Sequence, residues 1–432
     1  MTLQSLLLTK PALSARQLVV LDEAGAVGID DMKRLFDLTR DARVVLSGDI
    51  GQHASVVRGD ALRILEQHSD FQSGQLSRIR RQRKAEYRKA VELAAQKRTA
   101  EAFAQLERIS AIVESSSDNL HDKAAQSYLK ALDQNQSALL VAPTWNEIEA
   151  VTEKVRAALK TSGRLVGEEK EFQVFDSLSW TEAQKLDARQ YRPGIAIRLH
   201  HGKSGFHKDE TVVVVAVESD SLKVQRLDGL EAVFQLGRGF ALFDVGETRK
   251  LKVAAGDKLL LQANAPRKRF INGELVEVQA IKGGALVLTD GRVIPQNYRT
   301  FTHGYAVTSH AAQGKTVDEV LVVASSRSLS AVHQQQFYVS ISRGRERCQV
   351  FTDDVERLRS RVTHSSERLA AVEVIPRFGR QKFIQRVLDR GHRFLKHFRQ
   401  RITQSHSLRK GIEQIRKTSY EHQRQPRRGI SV

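Results

Sequence analysis

Two hydrophobic patterns divide this chain. In the first, short continuous apolar runs alternate with segments of helical spacing. Residues 18–22 (LVVLD), 42–46 (ARVVL), 137–143 (SALLVAP) and 317–324 (VDEVLVVA) are such runs. Their β-branched content predicts strands buried on both faces of a parallel sheet. Segments 29–39, 59–67, 144–160 and 334–342 have apolar spacing suited to helices, and Pro11 closes a helix over 1–10. Strand, helix and strand across 18–46 form a βαβ unit, which sets both strand ends on one sheet edge. In the second pattern, over 191–296, the period falls to two. Seven strand-like stretches (194–199, 211–217, 222–227, 232–236, 258–262, 275–281 and 285–288) are separated by turns such as Asp228-Gly229, Asn272-Gly273 and Asp290-Gly291. They predict one or two small β-barrels inserted between α/β segments. Residues 101–135 read as a polar helical connector, and 161–190 as loop and short helix.

Charge changes the picture at the C-terminal end. The 432-residue chain carries 69 basic and 50 acidic residues, net +19. Residues 377–432 alone hold 16 basic against three acidic residues. Such asymmetry points to a polyanion, most often nucleic acid. The extension is read as helical, with Phe383, Val387, Phe394, Leu395 and Phe398 on a rough apolar stripe. Arg393, Lys396 and Arg399 are its candidate phosphate contacts. Its last dozen residues read as disordered. The length suggests two to four domains at roughly 150 residues each. No run of 18 apolar residues and no basic, signal-like N-terminus occurs, so neither a membrane span nor a secretory leader is expected. A single cysteine, Cys348, excludes an internal disulfide and a cysteine zinc site, and suggests the cytoplasm.

Candidate chemistry gathers at the ends of the apolar runs. The first ends in Asp22 and Glu23, and open α/β sheets bind ligands at the carboxyl ends of their strands. In a nucleotide hydrolase the first acid would hold Mg²⁺ and the second would orient or deprotonate the attacking water. A plainer alternative is a helix that starts with acids, which suits its dipole. The second run ends in SGDIGQ, residues 47–52, whose glycines permit a tight turn beside a ligand. There Asp49 and Gln52 are candidates to read a γ-phosphate, or form an ordinary Gly-Asp turn. Arg78, Arg80, Arg81 and Arg83 form a cluster that either stabilises transferring charge or is simply a basic helix face. Gly314-Lys315-Thr316 is not a P-loop, because Ser309 stands where GxxxxGK[ST] needs its first glycine; Gly202-Lys203-Ser204 fails likewise at Ile197. HHGKSGFH at 200–207 reads as a solvent loop rather than a metal site.

Taken together, LDEAG, LSGDIGQ, RIRRQ, YAVTSHAAQGKT and YVSISRGRER follow the order of superfamily 1 helicase motifs II, III, IV, V and VI, with the β-rich insert between IV and V. The chain resembles RecD-like helicases. It is most similar to the C-terminal helicase part of MobF-type conjugative relaxase-helicases (TraI/TrwC type), over roughly residues 1–355. The resemblance implies two RecA-like domains clasping ATP and Mg²⁺, with single-stranded DNA crossing both, and 5′–3′ movement. It implies that Asp22 holds the metal and Glu23 is the catalytic carboxylate. It makes Gly48, Asp49 and Gln52 the γ-phosphate sensor, and Arg81 the motif IV arginine. Thr308, His310, Gln313 and Gly314 would couple DNA to ATP. Arg343 would be the arginine finger, helped by Arg345, and the insert would guide the DNA strand.

The implied domains are a partial first RecA-like domain (1–110), a connector (111–136), a second RecA-like domain (137–190 with 297–355), the inserted barrel region (191–296) and the basic tail (356–432). The P-loop motif expected ahead of motif II is absent from these residues, as is the histidine triad of a relaxase. The expectation is therefore a helicase fragment with weak ATP binding, inactive alone. It would arise from a truncated gene, a misplaced start or a split enzyme whose partner carries the P-loop, acting among conjugative-transfer proteins. The alternative from another class is a non-catalytic nucleic-acid-binding protein derived from such a helicase.

Overall fold

The computed structural model describes residues 1–366 except 10, 12, 56–58, 70, 201, 203–204, 209, 227, 238–242 and 266–267. The basic extension, with Arg393, Lys396 and Arg399, lies outside the described residues. Helix α1 (Leu3–Thr9) precedes strand β1 (Leu18–Leu21), helix α2 (Ile29–Leu38), strand β2 (Arg43–Leu46) and helix α3 (Ala61–His68). Strands β1 and β2 pair in parallel, Leu18 opposite Arg43 through Leu21 opposite Leu46, as the βαβ spacing requires. One face of the pair is packed, with Val19, Leu21 and Leu46 against Leu7, Met32 and Leu35. The other face is open: Leu18 is 58%, Val20 61% and Val45 47% exposed. Burial on both faces, expected for these two strands, is not found. An apolar run shows that a strand can be buried twice over, not that a second layer covers it.

The chain continues through α4 (Ala85–Ala95), α5 (Thr99–Arg108), β3 (Ile112–Glu114), α6 (Leu120–Asp133), β4 (Ala138–Val141) and α7 (Trp145–Thr161). The stretch expected to be a connector thus carries a strand and a 14-residue helix. Both pack into the second α/β layer, as do α4 and α5, which the sequence assigned to the first domain. Their apolar stripes were legible; which sheet would cover them was not.

The insert begins at β5 (Val166–Ser177), within the span expected to be loop and short helix, and continues through α8 (Glu182–Lys185). Strands β6 (Ile195–Leu199), β7 (Thr211–Val217), β8 (Ser221–Gln225), β9 (Glu231–Gln235) and β10 (Phe243–Ala255) complete an antiparallel sheet ordered β5-β10-β6-β7-β8-β9. Strand β10 went unread in the sequence. It runs for 13 residues and changes partner at Gly246, which faces Ser177 of β5 and Ala196 of β6. A Cβ there would lie 2.3 Å from the Asp176 carbonyl oxygen, so only glycine fits. A second antiparallel sheet, ordered β14-β13-β12-β11-β15, is formed by β11 (Lys258–Leu261), β12 (Leu275–Lys282), β13 (Ala285–Leu288), β14 (Val293–Ile294) and β15 (Phe301–His303). The insert has two cores, one around Ile197, Val212 and Phe234, the other around Phe172, Leu251 and Phe301.

The α/β pattern returns with β16 (Ala306–Val307), α9 (Ser309–Ala312), β17 (Val317–Val323), α10 (Gln334–Ile341), β18 (Gly344–Thr352) and α11 (Val355–Arg361). They complete a five-stranded sheet ordered β16-β4-β17-β18-β3, parallel throughout. Here the continuous apolar run behaves as expected. Val320 and Val322 face a core with Tyr87, Phe103 and Phe337, whereas Leu321 and Val323 face one with Tyr128 and Val151. Each such buried side chain contributes about 1.5–3 kcal/mol relative to exposure. The root of the insert is tied to this layer by a buried ion pair. Arg156 donates Nε and Nη2 to the Asp257 carboxylate, each at 2.9 Å, and Tyr305 donates its hydroxyl to Oδ1 at 2.9 Å. Among the described residues, no helix is long and apolar enough to cross a membrane.

Candidate nucleotide site

The loops after β1 and β2 are stitched side by side. Ser47 N donates to Leu21 O and Ala24 N to Ser47 O, both at 2.8 Å. Gly48 permits this approach: a Cβ there would lie 2.7 Å from Leu62 Cδ2 and 2.9 Å from Gly25 N. The acids at the end of β1 are exposed. Glu23 adopts a left-handed backbone conformation (φ 53°), and its N–H donates to Asp22 Oδ1 at 3.0 Å. Glu23 Oε2 accepts from Gln313 Nε2 at 3.0 Å, a contact between residues 290 positions apart.

In the second loop Asp49 is an organising acceptor. Its Oδ1 takes the Gly51 N–H at 2.8 Å, and its Oδ2 takes Gln52 Nε2 at 3.1 Å and the Tyr338 hydroxyl at 2.8 Å. Burial and the Asp49 charge raise the Tyr338 phenol well above its ordinary range. Gln52 Oε1 is buried with no hydrogen-bond partner among the described residues. Such an orphan is costly unless something supplies a donor.

Two arginines approach from the other side. Arg81 Nη1 donates to the Ser342 carbonyl at 2.9 Å, and Gln82 Nε2 donates to the Ser342 and Gly344 carbonyls at 3.0 and 2.7 Å. Arg343 is 2% exposed, and its guanidinium donates to Val339 O and Ser342 Oγ. It forms no ion pair with a carboxylate among the described residues. Burial, then the neighbouring Arg81 charge, lowers its pKa to about 10, against the pull of Tyr338 and Glu23. A buried guanidinium without a carboxylate is held at a cost that a bound anion would repay.

Thr308 caps α9 and accepts from Ala311 N at 3.3 Å; Gln313 ends that helix, and Gly314 takes the turn at φ 76°. His310 is exposed, and burial of part of its ring with the neighbouring His333 lowers its pKa. It stacks on His53 with ring centroids 3.6 Å apart. His53 is 5% exposed and shares a 2.8 Å hydrogen bond with Ser309 Oγ. Burial, then His310, His333 and Arg343, pushes its pKa down to about 3.

The structure therefore brings together Asp22, Glu23, Gly48, Asp49, Gln52, Arg81, Gln313 and Arg343, with His310 linked to the group through His53. Arg345 instead turns to Asp318 at 3.7 Å. Tyr338, His53 and Ser309 join the site without having been singled out, although each lies in or beside a quoted motif. The set suits a polyphosphate with a divalent cation: open carboxylates for the metal and a buried unpaired guanidinium for the phosphate charge, while the orphaned amide oxygen of Gln52 suits a donor such as a water. No GxxxxGK[ST] accompanies the set within these 432 residues.

Comparisons with known proteins place these residues in context. A family model described as an AAA domain matches residues 1–117. A model of the viral superfamily 1 RNA helicase core domain matches residues 286–352. The multifunctional conjugation protein TraI of Escherichia coli is 22% identical over 417 residues, taking in 83% of this chain. The chain spans 23% of the length of that relative. Among solved structures, Bacteroides Pif1 helicase in complex with ADP-AlF3 and ssDNA aligns with 90% of this chain and 77% of its own, at 16% identity and TM-score 0.34. Pif1 helicase from Candida albicans aligns with 83% and 78%, at 13% identity and TM-score 0.35.

Proposed function

We infer that this chain, which is similar to superfamily 1 helicases and to TraI, supplies the hydrolysis and DNA-coupling residues of an ATP-dependent 5′–3′ DNA translocase of the conjugative-transfer kind, in the cytoplasm. One observation carries the reading. Segments some 290 positions apart meet through Glu23–Gln313 and Asp49–Tyr338, beside a buried Arg343 that has no carboxylate partner among the described residues.

In this reading Asp22 holds Mg²⁺, which screens phosphate charge when bound. Glu23 orients the attacking water and takes its proton. Asp49 takes one Nε2 hydrogen of Gln52, which leaves the other to donate to the γ-phosphate and Oε1 to accept from the attacking water. Arg343, with Arg81 behind it, stabilises charge on the transferring group. Gln313 ties Glu23 to the turn at Gly314, and Thr308 and His310 sense single-stranded DNA from the same helix. The cradle for the β- and γ-phosphates comes from a P-loop segment outside these residues, in the same polypeptide or in a partner.

The 432 residues alone are expected to show no ATP turnover above buffer. Joined to a segment that carries a P-loop, the chain gains turnover stimulated by oligothymidylate. Glu23→Gln or Arg343→Ala in that fusion lowers it by about 100-fold or more. A fusion whose Glu23→Gln variant turns over ATP like its parent refutes these roles. The basic extension favours a second reading, a non-catalytic DNA-binding protein. There Glu23→Gln changes nothing, while deleting 377–432 weakens DNA binding and flattens its salt dependence.

A further inference from the structure

The turn after α9 holds two distant parts of the chain at once. Gln313 Nε2 donates to Glu23 Oε2 at 3.0 Å, and two residues on, Lys315 Nζ donates to the Gly273 carbonyl at 2.5 Å. Glu23 belongs to the candidate nucleotide site, whereas Gly273 lies in the connection between β11 and β12 of the insert. We propose that Gln313-Gly314-Lys315 is a relay that passes the state of Glu23 to the insert, with Lys315 as the residue that positions the β11–β12 pair. The proposal rests on the translocase reading for the role of Glu23 and names the route by which that site governs the insert.

Four observations carry it. First, Lys315 is committed to a backbone carbonyl. It is half-buried and makes no ion pair among the described residues, because the nearby Glu274 carboxylate is engaged by Arg292, Nη2 to Oε1 at 2.5 Å. Immobilising so long a side chain costs rotamer entropy that a free surface lysine keeps, so the contact is a specific one. Second, the turn itself is unpacked. Gly314 sits at φ 76° with nothing within 4 Å of where a Cβ would stand. The backbone on either side is tied to α9, Gln313 N to His310 O at 3.2 Å and Lys315 N to Ala312 O at 3.0 Å. No packed wall stands against a small shift there. Third, the insert end is stiff. The Gly273 N–H donates to Leu261 O and the Asn272 N–H to Asn264 Oδ1, both at 2.8 Å. The other end of β11 is pinned at the root by Asp257 and Arg156. A displaced Gly273 carbonyl therefore tilts the β11–β12 pair about that root instead of bending the connection. Fourth, the nucleotide end can be switched. A carboxylate is a stronger acceptor than a neutral carboxyl, so proton uptake by Glu23 from the attacking water weakens its hold on Gln313.

Hydrogen exchange of the full chain, without nucleotide or DNA, tests the relay. Peptides covering 270–278 report the insert end, and peptides covering 318–324, in and after β17, serve as the control. Lys315→Met should speed exchange over 270–278 by about 5- to 30-fold, and Lys315→Arg, which keeps a donor, should restore most of the protection. Gln313→Ala and Glu23→Ala act on the other end of the turn. Each should still speed the same peptides by about 2- to 5-fold, with 318–324 unchanged. If Lys315→Met leaves 270–278 at the wild-type rate, the relay is overturned. It is equally overturned if Lys315→Met speeds those peptides while Gln313→Ala and Glu23→Ala do not, since Lys315 is then a local tether. Acceleration that spreads equally to 318–324 shows general loosening and overturns it too. The translocase reading is judged separately, by turnover of the chain joined to a P-loop. Absent turnover with the expected exchange pattern sinks that reading and leaves the link from Glu23 to the insert standing.

Discussion

Replacing His53 with phenylalanine should change how the stability of the fold depends on pH. The folded protein refuses a proton at His53 until pH falls to about 3, whereas an unperturbed imidazole takes one near 6.5. Stability from this residue is therefore complete above 6.5. It drains as pH falls, because the unfolded chain gains a proton that the folded chain does not. At pH 5 the wild type has lost about 2 kcal/mol through His53 alone. The substituted phenyl group keeps a ring against His310 but strands the buried Ser309 hydroxyl, which costs about 1–2 kcal/mol at pH 7.5. The variant should thus be weaker than the wild type at pH 7.5 and level with it, or slightly stronger, at pH 5. Urea unfolding followed by tryptophan emission at both pH values measures this. His303, His310 and His333, also lowered by burial, titrate in both proteins and cancel in the difference. A difference between wild type and variant that moves by less than about 0.5 kcal/mol between the two pH values refutes the reasoning.

Arg343→Met replaces a buried, unpaired charge with an apolar side chain of similar length. It should stabilise the fold by about 1–2 kcal/mol in urea titrations, while abolishing turnover in the P-loop fusion. Asp257→Ala removes two of the three carboxylate bonds of Arg156 and the acceptor of the Tyr305 hydroxyl while Glu169 still pairs with Arg156, and should cost about 2–3 kcal/mol by the same titration. Val20→Lys with Val45→Thr should reduce the emission of an apolar dye bound to native protein. It should leave the urea midpoint nearly unchanged, because both side chains are already exposed on the open face of the first sheet.

Much of the α/β framework was legible, and physical reasons separate what was from what was not. The run from Val320 to Val323 reads as a strand because each of its side chains must find a core, and the structure buries it on both faces. The run at residues 18–21 has the same composition, yet Leu18 and Val20 face outward, because burial is a property of neighbours rather than of the run. Strand β10 escaped notice because its partners lie in β5 and β6, and its Lys/Arg/Glu content hides the alternation of Leu251 and Val253. In the candidate site, acids, glycines and arginines announced themselves by type and order. Tyr338 and His53 did not, since an isolated tyrosine or histidine carries no spacing signal. Their contacts, to Asp49 and Ser309, join residues more than 250 positions apart.

The position of the insert has a kinetic consequence. Strands β4 and β17 lie side by side, yet Ala138 pairs with Glu319, 181 positions on. Closing a flexible loop of that length costs on the order of 4–5 kcal/mol in chain entropy. The insert removes most of that search if it folds first, because it holds its own ends together: Val166 lies opposite Ala255, and Leu259 opposite His303. Assembly of the central parallel sheet then waits on two β-rich units that share none of its strands. A lesion in the core around Phe234, a cluster that shares no residue with the candidate site, would slow assembly of the central parallel sheet while leaving its finished geometry untouched.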